Sequence, residues 1–205
     1  MMAVPPPFAA HVSRETQEAL EHYAALIRKW NQKINLVARS QIDDLWQRHI
    51  WDSAQIWPHI AHSASHVDLG SGGGLPGLVI AILAKGNSSQ MAVSLIESDI
   101  RKAVFLRTVA RELGLSVHVH DKRHQFVPPA RAETVTARAL ASLQDLLPAA
   151  ERHLDAGGIA VFPKGARWKA EIEDAKVNWS FNVEAILSIT ESQAALLKIK
   201  DISRV

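Results

Sequence analysis

"HVDLGSGGGLPG", residues His66–Gly77, holds five of the chain's ten glycines and decides the fold. Val67 to Leu69 reads as a short buried strand. Pro76 to Leu83 reads as a helix whose proline belongs in its first turn, where a missing N–H costs nothing. Strand, glycine-rich turn and helix in that order form the opening unit of a parallel α/β sheet. In such sheets ligands sit beyond the carboxyl ends of the strands, so this turn is the first place to look for a site.

The same rhythm continues downstream. "MAVSLIE" (91–97), Leu115 to His120, Thr134 to Arg138 and Ile159 to Phe162 read as strands. Asp99 to Leu113 is a helix closed by Gly114, and Ser142 to Leu154 is helical despite Pro148. A charged helix over 168–176 precedes two runs, 181–189 and 195–200, that suit a terminal antiparallel hairpin. Upstream the period is helical. Ser13 caps a helix that carries Leu20, Tyr23, Ile27, Trp30 and Ile34 on one face. A second helix is expected from Ser40, with Ile42, Leu45, Trp46 and Ile50 inward, until Pro58 stops it. The expected organisation is an N-terminal helical cap (1–62) on a Rossmann-like domain (63–205), together one compact unit.

Composition narrows the function classes. The 205 residues are 47% hydrophobic, enough for one full core. No apolar run approaches the roughly 20 residues of a membrane span, and "MMAVPPPFAAH" lacks the basic and apolar regions of a signal peptide. The absence of cysteine excludes disulfides, thiolate metal sites and cysteine nucleophiles, and fits a reducing cytoplasm. Net charge is +2, with a pI near 9.0 and ten histidines. That balance permits a polyanionic partner without demanding one.

Two registers compete in the glycine turn. Gly72, Gly74 and Gly77 match the G-x-G-x-x-G of dinucleotide sites, but Pro76 removes an amide where a pyrophosphate wants every donor. The Walker form fails, since no Lys-Ser or Lys-Thr follows. Asp68, Gly70, Gly72 and Gly74 give D-x-G-x-G-x-G, the pattern of S-adenosylmethionine-dependent methyltransferases. Glycines there let the backbone approach a donor that carries a sulfonium and no phosphate. Glu97, ending the second strand, can accept both hydroxyls of a ribose, a device shared with NAD enzymes.

Several further stretches resemble one family, the 16S ribosomal RNA guanine-N7 methyltransferases, also called glucose-inhibited division protein B. They are "KWNQKINL" (29–36), "RHIWDS" (48–53), "DLGSGGGLPG" (68–77), "RKAVFLR" (101–107), "ARALASLQD" (137–145) and "PKG" (163–165). The resemblance implies a class I methyltransferase sheet of seven mostly parallel strands with an N-terminal helical extension. It implies S-adenosylmethionine as donor, and as acceptor N7 of guanine 527 in the 530 loop of 16S rRNA. By family position Gly70 and Leu75 contact the donor, and Arg138 reaches into the same pocket. Arg123-His124 stand where the family usually has an apolar or small residue followed by Glu, so only backbone contacts carry over. An Arg-His pair frequent in the family's last strand is here Ala194-Ala195.

Guanine N7 already offers an in-plane lone pair, so no general base is assigned and positioning carries the chemistry. On the second helix Arg48 and Asp52 are i,i+4 neighbours, as are His49 and Ser53. Alone they read as an ion pair and a half-buried histidine; by family position they line the cleft between cap and sheet. Lys33 and Asn35 are their companions from the preceding loop, and Lys164 would meet an RNA phosphate. His118 and His120 share a strand face, but no third ligand of suitable spacing accompanies them, so no metal is assigned. The tryptophans read as packing. The small ribosomal subunit is the expected partner and a monomer the expected state. Small-molecule methylation, or a catalytically quiet RNA-binding assembly factor, are the alternatives.

Overall fold

The computed structural model describes residues 12–205; the proline-rich start and the leader-peptide reading lie outside them. Helix α1 (Arg14–Asn31) opens on Ser13, whose hydroxyl accepts the Thr16 N–H. Leu20, Tyr23, Ala24 and Ile27 of α1 are buried, which matches the helical spacing read from the sequence. The expected second helix is broken. A 3-10 turn (Arg39–Gln41) comes first, then a π-helical stretch (Trp46–Trp51) that runs into α2 (Asp52–Ala54). Pro58 does not stop it: Pro58 lies in the first turn of a separate helix, α3 (Trp57–Ile60), where proline is tolerated.

Then the alternation begins: β1 (Ser65–Leu69), α4 (Gly77–Gly86), β2 (Ala92–Ile96), α5 (Ile100–Glu112), β3 (Val117–His120), β4 (Ala132–Ala137), α6 (Leu143–His153), β5 (Leu154–Lys164), α7 (Trp168–Lys176), β6 (Trp179–Leu187) and β7 (Ala195–Arg204). Pro76 caps α4 from outside, one residue before its expected place. Pro148 sits inside α6, and strand β5 starts at Leu154, running through Gly157 and Gly158 rather than after them.

The seven strands lie in the order β3-β2-β1-β4-β5-β7-β6. All pairs are parallel except those of β7, which runs against β5 and β6 as the terminal hairpin. Strand order reverses between β1 and β4, and there the crevice for a ligand opens. One core, on the cap side, joins α1, α4 and α5; the other joins α6 and α7 to the opposite face. Helix α4 is buried from Gly77 to Ala84, because α1 covers the side that the sheet does not. No helix of the described residues is long and apolar enough to cross a membrane.

Candidate active site

The glycine turn leaves β1 at the carboxyl edge of the sheet. Gly70, Gly72 and Gly74 all have positive φ (63°, 55° and 87°), which a side chain would strain. Over Gly72 the space is open: a side chain starting there would meet only the Gly70 carbonyl oxygen, at 3.8 Å. Gly70 is covered by Leu140, and Gly73 by Leu36. The Tyr23 hydroxyl donates to the Gly73 carbonyl, and Asn31 Oδ1 accepts the Leu36 and Val37 N–H groups. Helix α1 therefore holds the turn and the loop above it.

Two carboxyl groups anchor the turn. Glu97, just past β2, accepts the Gly72 N–H through Oε2 and the Asp99 N–H through Oε1, both at 2.7 Å. Asp68 is fully buried in β1 and accepts the Gly77 N–H at 3.2 Å. Burial pushes its carboxyl up to about 6, against the lowering effect of Thr136, Ser71, Gly77 and Arg138. Asp68 thus shapes the turn from below.

Beside the turn, a cleft of about 500 Å³ opens between the cap and the ends of β4 and β5; Arg48, His49, Asp52, Arg138, Lys164 and Thr190 line it. Arg138 follows β4 directly and Ala139 turns the chain with φ 52°, so Arg138 points to the cap while Leu140 folds onto Gly70. The guanidinium donates to the Arg48 carbonyl at 3.1 Å, to Asp52 Oδ2 at 3.3 Å and to His49 Nδ1 at 2.7 Å. His49 is buried; burial first, then the Arg138 and Arg48 charges, push its imidazole down to about 4. The ring is neutral and carries its proton on Nε2, which has no partner among the described residues.

The ion pair that Arg48 and Asp52 would make on an isolated helix does not form, although both line the cleft. Arg48 lies 3.8 Å from Asp44, its side chain half exposed at the cleft mouth, and Asp52 pairs with Arg138. Asp52 Oδ1 also accepts the Thr190 hydroxyl (2.8 Å) and the Gln55 amide (2.9 Å). Gln55 in turn holds Ser188 and the Ile189 N–H, so the β6–β7 tip is pinned to the cap. Gln55, Ser188 and Thr190 escaped the sequence reading; only the fold brings positions 133 to 138 apart together. Ser53 is fully buried, away from the cleft lining, and its hydroxyl has no partner among the described residues. Lys33 and Asn35 are exposed in the loop whose Leu36 covers Gly73.

Lys164 ends β5 and is buried. It donates to the Ala141 carbonyl and pairs with Glu171, both at 2.8 Å, while Glu171 also accepts the Leu143 N–H. Its charge is spent on the loop after β4. Arg123 is exposed, and His124 belongs to a 3-10 turn (His124–Phe126) fastened to α6, its carbonyl 3.1 Å from His153 Nε2. His118 and His120 pack edge to face at 4.3 Å.

This strand order, a glycine turn after β1 and an acidic residue after β2 define a class I methyltransferase fold. Solved structures agree at the level of fold. A variant of MtNAS in complex with S-adenosylmethionine superposes with TM-score 0.59 at 15% identity, over 90% of this chain and 75% of that one. The ribosomal protein L11 methylase from Lactobacillus delbrueckii subsp. bulgaricus gives 0.59 at 17% identity, over 75% and 78%. Residues 16–199 match the family described as rRNA small subunit methyltransferase G, and the chain belongs to that family. It is 50% identical to the ribosomal RNA small subunit methyltransferase G of Ruegeria sp. (strain TM1040) over 194 residues, 95% of each chain. To the Ruegeria pomeroyi protein of the same name it is 48% identical over 204 residues, covering both chains in full.

Proposed function

We propose that the protein methylates N7 of guanine 527 in the 530 loop of 16S rRNA, using S-adenosylmethionine, on the small ribosomal subunit in the cytoplasm. Family membership supports methyl transfer to small-subunit rRNA. The observation that carries the reading further is Arg138, which joins the glycine turn's side of the sheet to an open, polar cleft under the cap. A small-molecule methyltransferase would call for a closed apolar acceptor pocket instead.

S-adenosylmethionine supplies an electrophilic methyl group on a sulfonium. The turn fits such a donor: open space lies over Gly72, and Glu97 stands beside it as an acceptor for ribose hydroxyls. Gly70, Gly72, Gly74 and Leu75 form the floor, with backbone contacts from Arg123 and His124. Across the seam, Arg48, His49 and Asp52 orient the base. Guanine N7 needs no deprotonation, so these residues align and exclude water rather than move a proton. The protein works as a monomer on a substrate far larger than itself.

Labelled S-adenosylmethionine, incubated with purified 30S subunits and in parallel with naked 16S rRNA, tests the reading. Label is expected at N7 in the 530 loop, read by borohydride and aniline strand scission. No label in either RNA overturns it.

A further inference from the structure

Beneath the glycine turn lies a chain of buried polar side chains that methyl transfer itself does not use. β1 and β4 are parallel with His66 beside Thr134 and Asp68 beside Thr136. All four are at most 1% exposed, on one face of the sheet. Thr134 Oγ1 lies 3.1 Å from the Ser65 carbonyl oxygen and 2.9 Å from His66 Nδ1. The other ring nitrogen, Nε2, lies 3.2 Å from Thr136 Oγ1, which lies 2.8 Å from Asp68 Oδ1.

Counting hydrogens shows that the chain needs one proton beyond those of its neutral threonines and histidine. A carbonyl only accepts, so the Thr134 hydroxyl must donate to Ser65, and the proton on Nδ1 must then fill the His66–Thr134 contact. A neutral ring leaves Nε2 as an acceptor, which takes the Thr136 hydroxyl proton. With a neutral ring, the last contact, Thr136 to Asp68, is filled by a proton on the Asp68 carboxyl; if instead the Thr136 hydroxyl donates to Asp68 Oδ1, the ring must carry that same extra proton as an imidazolium. Four contacts thus need four hydrogens, one more than two threonines and a neutral histidine hold. We propose that this chain stores one proton on Asp68, and that a cationic methyl donor seated on the turn expels it.

Burial separates the two placements, because it disfavours an imidazolium facing a carboxylate: it lifts Asp68 to about 6 and drives His66 down to about 3, so the acid holds the proton and the imidazole does not. The other ionisable groups around Asp68 are Arg138 beyond β4 and Tyr23 on α1. From α4 and β2 it meets Gly77 and Leu95, which carry no charge. Arg138 favours the ionised acid, and a sulfonium with an ammonium adds to that pull. When the proton leaves to solvent, the carboxylate remains, accepting the Gly77 N–H and the Thr136 hydroxyl. The His66 Nε2 contact then goes unfilled. The neutral thioether product, S-adenosylhomocysteine, carries one positive charge less and draws the proton out less strongly.

The inference rests on the donor-site reading, and the two fail separately. Calorimetric titration of the full chain with S-adenosylmethionine near pH 6, in buffers of different ionisation enthalpy, is expected to show proton release, larger than with S-adenosylhomocysteine. Affinity for the donor should fall by up to about tenfold per pH unit below the Asp68 midpoint. Asp68→Asn, whose amide imitates the protonated acid, should bind weakly with no pH dependence. His66→Phe frees the Thr136 hydroxyl for the carboxylate and should move the midpoint to lower pH. In the wild-type protein without donor, the 15N signals of His66 at about pH 5 should show a neutral ring protonated on Nδ1. An imidazolium, or a ring protonated on Nε2, overturns the stored proton whatever the variants do. Binding without proton release overturns the coupling, and no binding of the donor overturns the site reading and the coupling with it.

Discussion

Arg138 and His49 meet at 2.7 Å across the seam between sheet and cap, the guanidinium donating to Nδ1. A permanently charged donor fixes the imidazole as neutral, and the same guanidinium holds the Asp52 carboxylate, so one side chain orders both cleft residues. Charge-assisted hydrogen bonds of this kind contribute about 1.5–3 kcal/mol each. Arg138→Ala should cost about 2–3 kcal/mol in urea unfolding, with Asp52 left half-buried and short of a partner. Arg138→Lys should recover less than half of that, because an ammonium cannot span both acceptors.

Two glycines of the turn separate folding from binding. A side chain on Gly77 would run into Leu95 and stand 2.7 Å from Asp68 Oδ2, so Gly77→Ala should lower stability by about 2–3 kcal/mol. Gly72 has room but a left-handed φ, so Gly72→Asp should cost about 1–2 kcal/mol. Placed beside Glu97, that aspartate should abolish S-adenosylmethionine binding. Thermal unfolding and donor titration on both variants check the contrast; an unchanged donor affinity for Gly72→Asp would contradict the site.

The basic residues of the cleft should differ in their response to salt. Lys164 is neutralised by Glu171, so Lys164→Met should destabilise by about 3 kcal/mol while leaving the salt dependence of RNA binding unchanged. Arg48→Ala, with a half-exposed guanidinium at the mouth, should flatten the slope of log K against log salt by nearly one. It should impair methylation far more than donor binding. Filter binding over a salt series reads both.

Acid should weaken the fold through its histidines. His49 is pushed down to about 4 and His66 to about 3, while both titrate near 6.5 when unfolded. The unfolded chain therefore takes up protons first, and their contribution, full above pH 6.5, is lost as pH falls. Asp68 works in the opposite direction, since its neutral form is favoured in the fold up to about 6. Two rising slopes against one falling leave a loss of about 1.4 kcal/mol per pH unit between 6 and 4, to which His59, His120, His124 and His153, also lowered by burial, add. Urea midpoints across that range measure it, and a flat profile would refute it.

Alternation and turn chemistry made the sheet legible before any coordinates. The strands, the helix ends at Asp99 and Gly114 and the terminal hairpin all follow from local patterns. The cap was harder, because Leu45, Trp46 and Ile50 are spaced as on an α-helix although the chain takes wider π-helical turns there, and Pro58 serves to start a helix as readily as to end one. At the site, the glycine turn and Glu97 were visible as motifs. Partners were not: Asp52 has Arg48 four residues away in the chain, yet pairs with Arg138, 86 positions distant. His66 was in plain view within the opening stretch. Only the register against β4 gives it two threonines and a carboxyl to bond.

Helix α4, apolar on every side, has a consequence for any shortened chain. Protein beginning at residue 63 would keep every strand yet bare to water the face on which Leu20, Tyr23 and Ile27 now rest. Such a fragment is expected to aggregate, and the intact protein to melt in one transition. The N-terminal helices are therefore as much a wall of the sheet domain's core as a cover over the cleft, and exchanging them between relatives would require exchanging α4 as well.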